Sequence, residues 1–287
     1  MSQFQPHICV VIPVLNDAPL LRTCLHALAK QTLPADRIIV VDNGSTDNIR
    51  EVTEAAIHRG LPLSVIQEPK KGIPFAAACG YDAALRLAAG PVPAHCPSGP
   101  SSSFLGTPPT QRLIILRCDA DSIPAPTWIE RHCRTLQAQA ERGSRRIIAV
   151  TGAPQFPTRP GWVGRAIGAA YIGSYQLSCG SALGHPALYG SNFAMDGALW
   201  AQARERVHLS KWVHDDYDLS FQVLPGQTIA MDWGSAMPVS WRAAVTPRRV
   251  ARQVVQTFVT LGYNWRVENP GERLRSRMRE RGRIESR

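Results

Sequence analysis

The chain has 287 residues, 44% of them hydrophobic and 19% charged, and a formal net charge of +10. That size and balance suit a globular protein that buries a core without disulfide or metal staples, and exclude a disordered chain. No stretch approaches the ~20 apolar residues of a membrane span, and the opening MSQFQPHICVVIPV has no basic segment before its apolar run, so a signal peptide is not expected and a cytoplasmic location is.

The first 150 residues alternate between short apolar runs and helical patterns. Strands are expected at Ile8–Val14, Ile38–Val41, Leu63–Gln67, Leu113–Leu116 and Ile147–Val150. Helices are expected near Pro19–Lys30, Thr46–His58, Phe75–Ala88 and Pro126–Arg142. In the first helix Leu21, Cys24, Leu25 and Leu28 share one face. Strands this apolar are covered on both sides, and the βαβ order predicts an α/β fold with a mostly parallel sheet flanked by helices. Residues Gly90–Thr110 interrupt the pattern with 13 Pro, Gly or Ser in 21 positions, an insertion expected to be exposed rather than a lid. Beyond Thr151 the alternation fades: helices are expected at Gly161–Leu177, Gly197–Arg206 and Asp215–Leu224, one or two strands within Thr228–Trp241, and a helix with Pro at its start over Pro247–Tyr263.

Seven cysteines without a C-x-x-C pair argue against a zinc site or disulfide framework. Residues 271–287 hold seven Arg and three Glu. A basic tail attracts phosphate, so peripheral contact with the inner membrane face is an expectation, whereas no nucleic-acid-binding module is recognisable and nucleic acid is not an expected partner.

Ligands of such sheets sit beyond the carboxyl ends of the strands, and there the sequence is polar. The first strand runs into Pro13-Val14-Leu15-Asn16-Asp17, the second into Asp42-Asn43-Gly44-Ser45-Thr46-Asp47, and the fourth into Asp119-Ala120-Asp121. Carboxylates two apart on an extended strand face one ligand and offer the hard oxygens that Mg²⁺ or Mn²⁺ prefers. In the second cluster Gly44 permits a tight turn, and Ser45 or Thr46 is placed to cap the next helix. A third cluster, His214-Asp215-Asp216-Tyr217-Asp218, opens a late helix, where acids suit the dipole and one of them is placed to act as a general base. Dinucleotide-binding, P-loop, H-E-x-x-H and G-x-S-x-G motifs are absent.

In order, these segments resemble the inverting family 2 glycosyltransferases of GT-A fold. Val10–Asp17 is similar to the family's opening strand, Asp42–Asp47 to its V-D-D/N-G-S-T-D loop, and Asp119-Ala120-Asp121 to its D-x-D motif. Gly190-Ser191-Asn192-Phe193 is similar to the segment walling the sugar and acceptor pocket, and Asp215–Ser220 to the E-D-x-D-L-S helix start.

The resemblance implies a single GT-A domain over residues 1–245. Residues 1–121 would be its nucleotide-sugar half and 122–245 its acceptor half, followed by a C-terminal helix and Arg-rich tail over 246–287. It implies a non-processive, hexosyltransferase-type enzyme that moves sugar from a UDP-, GDP- or dTDP-sugar to a hydroxyl acceptor, in cell-envelope or other glycan or glycolipid synthesis, and the Arg-rich tail makes a lipid-linked acceptor an expectation. Pro13, Asp17, Asp42, Lys71 and Asp119 would hold the donor, and Asp121 with Asp119 the Mn²⁺ or Mg²⁺. Asp216, with Asp215 beside it, would be catalytic, and Asn192 would line the acceptor pocket. One departure stands out: Gly72–Gly80 (GIPFAAACG) matches a stretch reading G-x-x-x-A-R-N-x-G, with Ala77 and Ala78 in place of Arg and Asn. Lys70 or Lys71 could compensate, and Arg248 and Arg249 could reach the diphosphate. A nucleotidyltransferase on a similar sheet and a donor-binding remnant without activity remain alternatives.

Overall fold

The computed structural model describes residues 6–87, 112–137, 145–158, 160–241, 247–269 and 271–276. The insertion at 90–110 and residues 277–287 of the tail lie outside the described residues, as do the side chains of Arg248 and Arg249.

The elements in chain order are β1 (His7–Val14), α1 (Ala18–Leu28), β2 (Arg37–Asp42), α2 (Ile49–His58), β3 (Leu63–Gln67), α3 (Ile73–Leu87), β4 (Leu113–Arg117), α4 (Trp128–Gln137) and β5 (Arg146–Gln155). There follow α5 (Gly161–Tyr175), a π-helical turn (Gln176–Gly180), α6 (Ser181–Leu183), β6 (Phe193–Asp196), α7 (Gly197–Ala203), α8 (Asp215–Phe221), β7 (Gln227–Pro238) and α9 (Pro247–Val267). All five expected strands form. β6, only four residues long, was not anticipated as a strand.

One seven-stranded sheet results, in the order β3-β2-β1-β4-β6-β5-β7. Pairings among β3, β2, β1 and β4 are parallel, as is β5 with β7, and β6 runs antiparallel to both neighbours. Alternate side chains of the central strands enter two cores. Val10, Ile12, Ile38, Val40, Ile114 and Leu116 pack under α1, α2 and α4. Cys9, Val11, Ile39, Val41 and Ile115 pack under α3 and α7. Burial on both faces explains the unbroken apolar runs. Gly80 of α3 lies so close to the sheet that a Cβ would stand 2.3 Å from Val11 Cγ1, so only glycine permits this approach.

Because β1 to β4 are parallel, their carboxyl ends share one edge. The reversed β6 brings the residues that precede it, Tyr189–Asn192, to the same edge. At the opposite, amino edge, α3 ends at Leu87 and β4 begins at Leu113. There Asp196 accepts from Arg112 Nε at 3.0 Å and Arg146 Nη2 at 2.8 Å, and also caps α7 through Ala198 N.

Candidate active site

The carboxyl edge holds a cleft of about 590 Å³. Pro13, Asp17, Lys71, Asp119, Asp121, Asp215 and Asp216 all line it. Asp42 lies just beneath, buried, with Oδ1 accepting from Ser45 N at 2.8 Å and Oδ2 from Gln67 Nε2 at 3.0 Å.

The loops after β1 and β2 are knitted together. Asn16, at φ 54°, accepts from Thr46 N at 2.8 Å and donates its own N–H to Ser45 Oγ, while Asp47 accepts from Ala18 N. Ser45 and Thr46 therefore do not cap α2, as the local sequence suggested. They brace the neighbouring loop, because a second strand end lies within reach. Asn43 fixes the next loop: its side chain donates to the Glu68 and Lys70 carbonyls and accepts from Gly72 N at 2.7 Å. Lys71 is thereby held at the cleft wall. Gly44, at φ +83°, turns the chain and leaves the Lys71 stem its space.

Asp119 Oδ2 accepts from Ser191 Oγ at 2.5 Å and Asp121 Oδ2 from Ser240 Oγ at 2.5 Å. Two carboxylates on one cleft wall, backed by hydroxyls, form an all-oxygen donor set of the kind Mn²⁺ and Mg²⁺ favour, so these residues fit a divalent cation. His214, Asp215 and Asp216 also cluster, their ligand atoms within 4.8 Å of one another. Arg117 bonds Asp215, and His214 Nδ1 lies 2.5 Å from Asp216 Oδ1, an arrangement better suited to handling a proton than to binding a cation.

Asp216 is buried, and burial alone would push its carboxyl up. His214, Arg117 and the Gly190 N–H, 2.5 Å from Oδ2, outweigh that and hold it below the ordinary carboxylate value. His214 is raised: burial opposes its charge, but Asp216 and Asp215 prevail. Gly190 packs closely here, since a Cβ would meet Asp216 Oδ2 at 3.0 Å and Arg117 Nη2 at 3.1 Å and oblige them to shift.

Two observations bear on what the sequence suggested. Asn192 does not face the cleft. Its fully buried amide donates to the Ser235 carbonyl at 2.6 Å and the Ala153 carbonyl at 3.3 Å, and its oxygen accepts from Trp128 Nε1 at 2.8 Å and meets His132 Nε2 at 3.0 Å. Its neighbours Gly190 and Ser191 form the wall instead. The boundary at residue 245 also divides residues that share one site: α9 supplies Arg252, Gln253 and Gln256 to the cleft, and Thr260 Oγ1 accepts from His214 N at 2.9 Å. Sequence reasoning missed Arg117 as well, although a charged residue closing an apolar strand was a visible signal.

Residues 9–92 match the family model described as Glycosyl transferase family 2. Over those residues the chain is similar to the family 2 glycosyltransferases. The chain is 27% identical to glycosyltransferase AglE of Haloferax volcanii over 140 residues, covering 47% of this chain and 37% of that protein. To glycosyltransferase GlyG of Streptococcus pneumoniae it is 37% identical over 65 residues, 23% of this chain and 22% of that protein. The matches thus span well under half the length of these relatives. The GT-A fold extends through the chain: a mannosyltransferase from Pyrobaculum calidifontis, in complex with GDP-Man and Mn²⁺, aligns at TM-score 0.56 and 18% identity over 99% of this chain and 76% of that one. Glucosyl-3-phosphoglycerate synthase from Mycobacterium tuberculosis, in complex with Mn²⁺, UDP and phosphoglyceric acid, aligns at 0.52 and 16% identity over 91% and 78%.

Proposed function

We propose that the protein is a non-processive, inverting glycosyltransferase that moves a sugar from a nucleoside-diphosphate donor to a hydroxyl acceptor. The observation that carries the reading is the convergence of the D-x-D carboxylates and the buried, ionised Asp216 on one cleft. Pro13, Asp17, Asp42, Lys71 and Asp119 hold the donor, and Asp119 and Asp121 hold Mn²⁺ or Mg²⁺. A bound cation supplies charge stabilisation for the departing diphosphate. Asp216 accepts the acceptor's hydroxyl proton as that oxygen attacks the anomeric carbon from the face opposite the leaving group, which inverts the configuration. Gly190 N–H and His214 keep the carboxylate oriented.

The donor site is tested by melting temperature with UDP, GDP, dTDP or CDP, with and without Mn²⁺. One diphosphate is expected to stabilise the wild type in a metal-dependent way, and Asp121→Ala to abolish that shift. No shift with any of the four would favour a remnant that has lost its donor site.

The acceptor is proposed to be a lipid-linked glycan intermediate, met at an anionic membrane surface. No described helix is long and apolar enough to cross a membrane. In favour of surface contact are the exposed Val254, Val255, Phe258, Trp265 and Val267 on α9, and five Arg against two Glu in residues 277–287. Arg273 belongs to the body of the protein, bonding the Leu183 and Phe221 carbonyls, so the tail test starts after it. Deleting 277–287 is expected to weaken sedimentation with phosphatidylglycerol vesicles and leave the melting temperature unchanged. Unaltered binding would remove the tail from this role.

A further inference from the structure

The motif arginine missing from α3 leaves its mark on the structure. Ala77 and Ala78 line a small void of about 20 Å³ together with Tyr81 and Asp215. Ala77 sits one helical turn before Tyr81, on the same face of α3. A long side chain at position 77 leans towards the amino end of α3, the end nearer the cleft, and the void it borders also touches Asp215.

A guanidinium already occupies that neighbourhood, delivered by another element. Arg117 ends β4, whose other residues are Leu113, Ile114, Ile115 and Leu116. Its side chain is 3% exposed. Nη1 bonds Asp215 and reaches the Tyr81 hydroxyl at 3.4 Å, while Nη2 reaches Asp119 Oδ1 at 3.3 Å. One buried cation thus joins the D-x-D wall to the start of α8, next to Asp216. Such burial is a poor choice for stability alone, since a well-packed apolar side chain is commonly as good or better in its place. An apolar residue, as in the rest of β4, would suit the strand.

We infer that Arg117 is a relocated positioning residue. From strand β4 it supplies the guanidinium that the motif places at position 77 of α3, and it fixes Asp215 and Asp119 relative to each other so that the donor wall and the base helix keep one geometry. The compensation for Ala77 therefore comes from beneath the cleft, not from Lys70 or Lys71. Gly190 belongs to the same arrangement, because its missing Cβ leaves room for Nη2.

The inference rests on the transferase reading for its activity arm only, and a stability arm stands without it. Four proteins are compared with wild type: Arg117→Met, Ala77→Arg with Arg117→Met, Asp215→Asn with Arg117→Met, and Lys71→Met. Melting temperature is measured alone and with the stabilising nucleoside diphosphate and Mn²⁺, and turnover once a donor is known. Arg117→Met is expected to melt well below wild type and, if folded, to lose the nucleotide shift and about 100-fold in turnover. Adding Ala77→Arg restores melting temperature and nucleotide shift together. Adding Asp215→Asn restores melting temperature alone. Lys71→Met keeps the wild-type melting temperature.

Failure of Ala77→Arg to restore melting temperature overturns the relocation, whatever the nucleotide arm shows. Full nucleotide binding and turnover in the Asp215→Asn pair overturns the positioning role and leaves Arg117 a structural charge. Absence of any nucleotide shift in wild type defeats the transferase reading instead, and the melting temperature of the Ala77→Arg pair still decides the relocation.

Discussion

Asp216→Asn is expected to lower sugar transfer by about 10²–10⁴-fold and to leave the stabilisation by nucleoside diphosphate and Mn²⁺ unchanged. The amide oxygen retains an acceptor for the Gly190 N–H, but the amide nitrogen then faces the Tyr217 N–H as well as His214, so the variant loses some stability along with the base. The variant should also change how stability follows pH. Asp216 is lowered from 3.8, so its contribution is present above that value and is lost as pH falls through the folded value. His214 is raised from 6.5, so its contribution is full below that value and is lost as pH rises through the folded value. The pair is therefore most stabilising between these two ordinary values, and melting curves across pH should show both limbs in wild type and neither in the variant. Turnover close to wild type would remove Asp216 from the base role.

Asn192→Ala is expected to cost about 3 kcal/mol or more in stability, among the larger effects of a single polar substitution. The loss strands the Trp128 indole N–H and two carbonyls inside the core and leaves His132 Nε2 to the Ser235 hydroxyl at 3.3 Å. His132 is itself a liability there, since burial lowers it to about 4 and keeps it neutral through most of the acid range. Gly152 shows how tight the knot is, for a Cβ would stand 2.3 Å from Asn192 Nδ2 and 2.2 Å from the Ser235 carbonyl. Urea unfolding at neutral pH measures the cost. Unchanged stability with an impaired acceptor KM would return Asn192 to the pocket.

The contrast between these two residues marks how far the sequence could be read. The strand-end acids were legible because parallel strands covered on both faces are uniformly apolar, so the first polar residue after each run announces the ligand edge, whereas Asp216 was reached through the cluster of acids that opens α8. β4 was legible for the same reason, yet Arg117 was passed over because its partners other than Asp119 lie 98 positions away at Asp215 and 36 away at Tyr81. Asn192 was misassigned because a motif shows that a position matters but not which way its side chain points, and here the point of contact is the core. β6 escaped notice because four residues are too few to establish a period. The share of α9 in the cleft was hidden too, since a helix appended after the sheet gives no sequence sign of where it folds back.

The long connection between α3 and β4 leaves and re-enters the sheet at its amino edge, where Asp196 grips Arg112 and Arg146. The cleft lies at the other edge. Doubling the length of a flexible connection raises its closure cost by only about 0.6 kcal/mol, and the ends of this one, Leu87 and Leu113, are anchored at the edge opposite the cleft. The architecture thus separates the place where the chain can lengthen from the place where geometry must be kept to fractions of an ångström. A lineage can add or shed a score of residues at that connection without retuning the carboxylates across the sheet.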